Sequence, residues 1–126
     1  MNGFLAEDRP EYTEVIPDEE AVWQAILAAS DGREIEIPMR WNRWFSIHGD
    51  GGKVYIGEAK YMTRTCPLTF DRIVRRREFG EVFPLYEEWE RSADEEEVRC
   101  RARKITISYE YIFAMIRQFA ILEQRL

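Results

Sequence analysis

One histidine, two cysteines and a dense block of carboxylates are the side chains of this chain that could run a reaction. An imidazole titrates near neutral pH and can serve as a general base, but His48 adjoins the glycine-rich run Gly49-Asp50-Gly51-Gly52, and a histidine beside such a turn is ordinarily just solvated. Cys66 precedes Pro67 near an expected helix start, where a thiolate gains some stabilisation. A cysteine nucleophile also needs a base and an orienting acid, and no acid is marked out as the third member. A zinc site would have to gather His48, Cys66, Cys100 and a carboxylate without any of the usual closely spaced ligand pairs. The two cysteines therefore read as reduced, mostly buried thiols, and neither metal nor cofactor is called for.

The glycine run could cradle a phosphate only if it opened a helix and carried a lysine or hydroxyl with it. Lys53-Val54-Tyr55-Ile56 follows instead and reads as a strand, so the run is a hairpin turn. Carboxylates crowd the segment Glu87 to Glu97. Their very number is the difficulty for an acid–base reading, because nothing separates one working pair from a solvated face. The expectation is a protein without enzymatic activity.

Charge is distributed in blocks. Met1 to Asp31 has eight acids against one arginine, and Glu81 to Glu97 again has eight against one. Thr63 to Gly80 holds five arginines and two acids, Val98 to Leu126 six basic residues and two acids, within a formal net charge of −6. Blocks of opposite sign can neutralise each other across a fold or leave one face strongly charged; mutual neutralisation of most of them is expected.

Two surfaces remain as candidates. The first is acidic: Glu87, Glu88, Glu90, Asp94, Glu95 and Glu96 with the rings of Tyr86 and Trp89. Carboxylates steer encounter with a basic protein and aromatic rings supply contact energy. Such a surface suits a regulator or inhibitor that mimics nucleic acid toward a basic partner, such as a nuclease or a defence enzyme. The second is Arg72, Arg75, Arg76 and Arg77 beside Trp41, Trp44 and Tyr55, basic groups with stacking rings that could hold single-stranded nucleic acid. The acidic balance of the whole chain weighs against that alternative. A small enzyme using carboxylates ranks third.

The elements that must position these residues follow from periodicity. At 126 residues the chain is one ordinary domain able to bury roughly two-thirds of its unfolded surface. Its 17 aromatic residues can dominate that core. No apolar run approaches the ~18 residues of a spanning helix, and the acidic start MNGFLAEDRPEYTEV is unlike a signal peptide. A cytoplasmic protein is expected.

Residues 1–17 read as an irregular arm over the core. Pro17-Asp18 opens a helix over 18–30, with Asp18 as cap, Glu19 and Glu20 in the first turn, and Val22, Ile26 and Ala29 as its stripe. Strands occupy 34–62: a short one through Glu34-Ile35-Glu36-Ile37, ending at Pro38, then a central hairpin over 43–58. Its expected register sets His48 opposite Lys53, Ile47 opposite Val54, Phe45 opposite Ile56 and Arg43 opposite Glu58, with the four glycine-run residues as the break.

Helical stripes predict helices over 67–79 and 84–91, separated near Gly80 and Pro84. Ser92 to Ile107 supports two readings. As a helix, Ser92 and Glu95 would cap it, and Val98, Ala102 and Ile105 would line up; as a strand, Val98, Cys100 and Ala102 alternate with arginines. The strand, 97–107 with a bulge near Arg103 and Lys104, is preferred. A last helix over 109–125, capped by Ser108, carries an apolar face wide enough either to centre the core or to build a homodimer. The sum is an α+β domain: a small, mainly antiparallel sheet, helices on one face and a long C-terminal helix.

Overall fold

The structure, a computed structural model, describes residues 18–61, 72–92 and 94–125. In chain order these form α1 (Glu19–Ser30), β1 (Glu34–Met39), a 3₁₀ turn (Arg40–Asn42), β2 (Arg43–Asp50), β3 (Lys53–Glu58), β4 (Arg72–Val74), α2 (Arg76–Arg91), α3 (Glu95–Ile105) and α4 (Tyr109–Arg125). The sheet is a four-stranded antiparallel meander in the order β1-β2-β3-β4, and with the helices it makes the expected α+β fold. The arm over 1–17, Cys66 and the opening 67–71 of the helix expected over 67–79 lie outside the described residues.

The hairpin is central, as its pattern predicts, but its register is displaced by two residues. Asp50 pairs with Lys53, Gly49 with Val54, His48 with Tyr55, Ile47 with Ile56 and Phe45 with Glu58. The break is thus the two residues Gly51 and Gly52 alone, with φ of +62° and +78°. A two-residue turn with positive φ at both positions matches the right-handed twist of the strands it joins, and glycine enters that region without a Cβ penalty. A shift of two preserves parity, so Phe45, Ile47, Val54 and Ile56 still share one buried face. Gly49 belongs to the strand and has a packing role: a Cβ there would stand 2.8 Å from the Ser30 hydroxyl at the end of α1.

β1 extends through Pro38 to Met39, and a proline is admissible there because β1 is an edge strand. α1 matches its prediction closely. Asp18 accepts a hydrogen bond from the Ala21 amide at 2.8 Å, and Val22, Trp23 and Ile26 are buried.

Three expectations beyond the hairpin are corrected. Arg72–Val74, expected inside a helix over 67–79, is strand β4, with Val54 paired to Val74 and Ile56 to Arg72. The helix that follows starts only at Arg76 and does not stop at Gly80; it runs through Pro84 to Arg91, uniting what read as two helices. Proline inside a helix costs about 3 kcal/mol. Burial of Phe79, Val82 and Phe83 on one stripe is worth about 1.5–3 kcal/mol each, which carries the helix across it. The third correction is Glu95–Ile105, a helix where the strand 97–107 was preferred, so no bulge arises. Asp94 accepts from the Glu97 amide at 3.2 Å and Ser92 from the Asp94 amide at 2.9 Å, while Val98 and Ala102 face the core four residues apart.

α4 is the main packing element. Tyr111, Ile112, Phe113, Met115, Ile116, Phe119 and Ala120 are all buried, so its wide apolar face is used within the chain over this length. The 3₁₀ turn, by contrast, is conformationally expensive, since Trp41 and Asn42 both have positive φ, +65° and +58°. Asparagine tolerates that region better than alanine does. Replacing the exposed Asn42 with alanine is expected to cost about 1 kcal/mol, and replacing it with glycine only a few tenths; urea denaturation of the two variants checks this.

Candidate functional site: the α2–α3 elbow and the arginine-lined cleft beside it

α2 and α3 are joined by Ser92–Asp94 and pack against each other. Their junction brings together the acids singled out in the sequence. Glu87 pairs with Arg91 at 3.6 Å, one turn on. Glu88 crosses to Arg101 of α3, which Glu97 also holds at 2.8 Å. Glu95 reaches Arg40 of the 3₁₀ turn at 3.4 Å, and Glu96 lies 3.8 Å from Arg99. Asp94 caps α3, and Glu90 accepts the Tyr86 hydroxyl at 2.5 Å.

Much of the acid block is therefore matched by arginine. Between Glu87 and Glu97, seven carboxylates meet Arg40, Arg91, Arg99 and Arg101, so the elbow keeps an excess of negative charge. Exposed pairs of this kind are worth only about 0–1 kcal/mol each; their effect is to bias where the carboxylates lie.

The two aromatic residues of this site are less available than the sequence suggested. Trp89 stacks on Phe113, with centroids 5.0 Å apart and planes at 26°, and the Arg40 guanidinium lies 5.3 Å from its ring centre. Tyr86 packs edge-on to Phe113 at 5.7 Å. Burial, and then the bond to Glu90, push the Tyr86 hydroxyl well above its usual pKa.

The arginine cluster is divided. Arg72 donates to the Ile107 carbonyl at 3.1 Å and its guanidinium stands 5.1 Å from the Tyr111 ring centre. Arg76 is tied to Glu19 at 2.7 Å and Glu20 at 3.0 Å, which joins α2 to the start of α1. The bonds from Gln24 and then Arg76 lower the Glu20 pKa. Arg75 is exposed at the entry to α2, and Arg77, also exposed, is 3.5 Å from Glu81. Trp41 sits exposed on the β1–β2 connection, while Arg72 begins β4 at the other edge of the sheet. Trp44, opposite Pro38, and Tyr55, opposite His48, are half-buried. His48 lies 6.5 Å from Tyr55 between ring centres. Cys100 is a free, half-buried thiol. Among the described residues no three His, Cys, Asp or Glu side chains converge as metal ligands.

Sequence reasoning missed the cleft beside the elbow. The end of β1, α2, α3 and α4 border an open cleft of about 210 Å³. Trp89, Tyr109 and Phe113 supply aromatic wall, and Arg40, Arg99 and Arg117 supply charge. Glu110 is the one acid of the lining; Arg99 holds it at 2.6 Å, and the Tyr109 hydroxyl donates to it at 3.0 Å. The bond to Tyr109, and then Glu110, raise the Arg99 pKa against the opposing effect of burial. The Nε of Arg99 and the Nε1 of Trp89 are both buried without an acceptor among the described residues. One signal was present in the sequence: Tyr109, Phe113 and Arg117 recur every four residues, so they share one face of α4. The first two read simply as a widening of its apolar stripe.

Comparison of the chain with known protein families, with characterised proteins and with solved structures gives no match. No helix among the described residues is long and apolar enough to cross a membrane.

Proposed function

We propose that this chain is a non-enzymatic binding protein whose α2–α3 elbow docks on the basic surface of another protein. It would act there as a regulator or inhibitor, occupying a surface that otherwise takes nucleic acid. The supporting observation is the elbow itself: seven carboxylates between Glu87 and Glu97, six on two packed helices and Asp94 at the cap between them, are joined across the elbow by pairs such as Glu88 to Arg101 and keep an acid excess. Fixed charge of one sign accelerates encounter with an opposite surface and rejects like-charged partners. Direct nucleic-acid binding has less support, because Arg72 and Arg76 are engaged within the fold.

An oligo-arginine peptide, labelled for fluorescence anisotropy, is a suitable probe of the basic partner class. Glu90→Gln, Asp94→Asn and Glu96→Gln combined should weaken its binding by about tenfold or more, equivalent to about 1.4 kcal/mol. Asparagine at 94 retains capping ability. A control carrying Asp31→Asn, Asp50→Asn and Glu58→Gln, three exposed acids outside the elbow, should lose far less. Equal losses in both would reduce the effect to net charge and overturn the assignment to the elbow. Tight binding of single-stranded DNA that vanishes in Arg75→Gln/Arg77→Gln would replace this reading with nucleic-acid binding.

A further inference from the structure

We infer that the cleft between the end of β1 and helices α2, α3 and α4 is a binding site for a small planar aromatic carboxylate. The site shares Trp89, Arg40 and Arg99 with the elbow but does not rest on its docking role. Size sets the first limit. An apolar cavity of about 150 Å³ accommodates benzene, so a cleft of about 210 Å³ seats a single ring with one small substituent. The walls set the second. Trp89, Tyr109 and Phe113 line the space with aromatic surface, which favours a flat ring over a sugar or a flexible polar chain.

Charge decides the substituent. Three guanidinium groups, those of Arg40, Arg99 and Arg117, border the cleft. Arg40 is shared with Glu95, and Arg99 with Glu96 and Glu110, so Arg117 is the cation best placed to meet a carboxylate brought by a ligand; the planar guanidinium fork matches carboxylate geometry.

Arg40 adds an independent observation. Its guanidinium lies between two indoles, 5.9 Å from the Trp41 ring centre and 5.3 Å from that of Trp89. That arrangement depends on the turn in which Trp41 and Asn42 hold positive φ. Backbone conformations that cost free energy concentrate where a side chain must be held for binding. Here the side chain so held is a cation at the edge of an aromatic cavity.

The test uses the full chain and two isosteric probes, benzoate and benzamide, followed by calorimetry and by the NMR signal of the Trp89 indole. Benzoate should bind saturably, one per chain, with a Kd of about 1 mM or tighter. Benzamide should bind at least about tenfold more weakly, the loss expected when the charge-assisted bond is removed. Arg117→Gln, a change at an exposed position, should weaken benzoate about tenfold and leave benzamide unchanged. Arg77→Gln, away from the cavity lining, should affect neither. Ala114→Leu, which adds bulk to the lining, should abolish both. Should Ala114→Leu fail to fold, the Arg117 comparison decides alone. Equal affinity for the two probes, benzoate binding indifferent to Arg117→Gln, or no saturable change at Trp89 would each overturn the inference.

Discussion

Phe45→Ala should lower the unfolding free energy by about 3–5 kcal/mol, the usual cost of emptying a fully buried phenylalanine site. Phe45 is wholly buried in β2, opposite Ile37 on one neighbouring strand and Glu58 on the other. Its ring meets Tyr111 of α4 edge-on, with centroids 5.0 Å apart and planes at 81°. The truncation therefore removes apolar burial and a ring contact at the place where the sheet and the C-terminal helix meet. Set against a domain stability of about 5–15 kcal/mol, the loss is large enough to bring the variant near its unfolding midpoint under mild conditions. Urea denaturation should show a strongly reduced midpoint at unchanged slope. Tyr61→Ala, at a position 86% exposed, should change stability by less than about 0.5 kcal/mol. A loss below ~1 kcal/mol for Phe45→Ala would show that this face of the sheet does not meet α4 in a packed core.

Ala102→Asp should be comparably damaging, about 3–5 kcal/mol, because it strands an unpaired charge in the interior. Ala102 is fully buried and lies one turn beyond Val98 on the same side of α3. Cys100→Ser in the same segment should cost less than about 1 kcal/mol, since the thiol is only half-buried. The contrast is diagnostic of the element. In a strand, residues 98, 100 and 102 would share a face, and both substitutions would strike the core. A severe Ala102→Asp beside a mild Cys100→Ser fits the helix, whereas two severe losses would return the segment to a strand.

The difference between those two outcomes is also the place where sequence reasoning lost its way. Val98, Cys100 and Ala102 alternate, yet Val98 and Ala102 alone satisfy a helix, and the acids before and arginines after them complement a helix dipole. Both periods are present, so local pattern could not choose; packing against α2 and α4 does. Ile73 and Val74 show the same ambiguity. They fit a helical stripe, and only the long-range pairing of Val54 with Val74 makes them a strand. Pro84 illustrates a third case, a local breaker overridden because the buried stripe of Phe79, Val82 and Phe83 gains more than the proline costs.

The candidate site divides along the same line. Acids from Glu87 to Glu97 are contiguous in the chain, so their block was legible at once. That Glu88 and Glu95 would be met by Arg101 and Arg40 was not. The cleft was less legible still, because Arg40, Trp89, Arg99 and Arg117 come from four different elements and share no spacing.

What the amino-acid order settles by itself is whatever depends on near neighbours. The capped first helix, the face of the hairpin that is buried, the existence of a glycine turn and the apolar last helix all follow from backbone periods of about 2 and 3.6 residues. Tertiary structure alone decides which strand of Ile-Val joins the sheet, whether 95–105 coils or extends, and which carboxylates find arginines. The physical reason is that a periodic apolar face states only that it must be covered; what covers it depends on residues distant in the chain, whose contact energies exceed the small differences in local propensity.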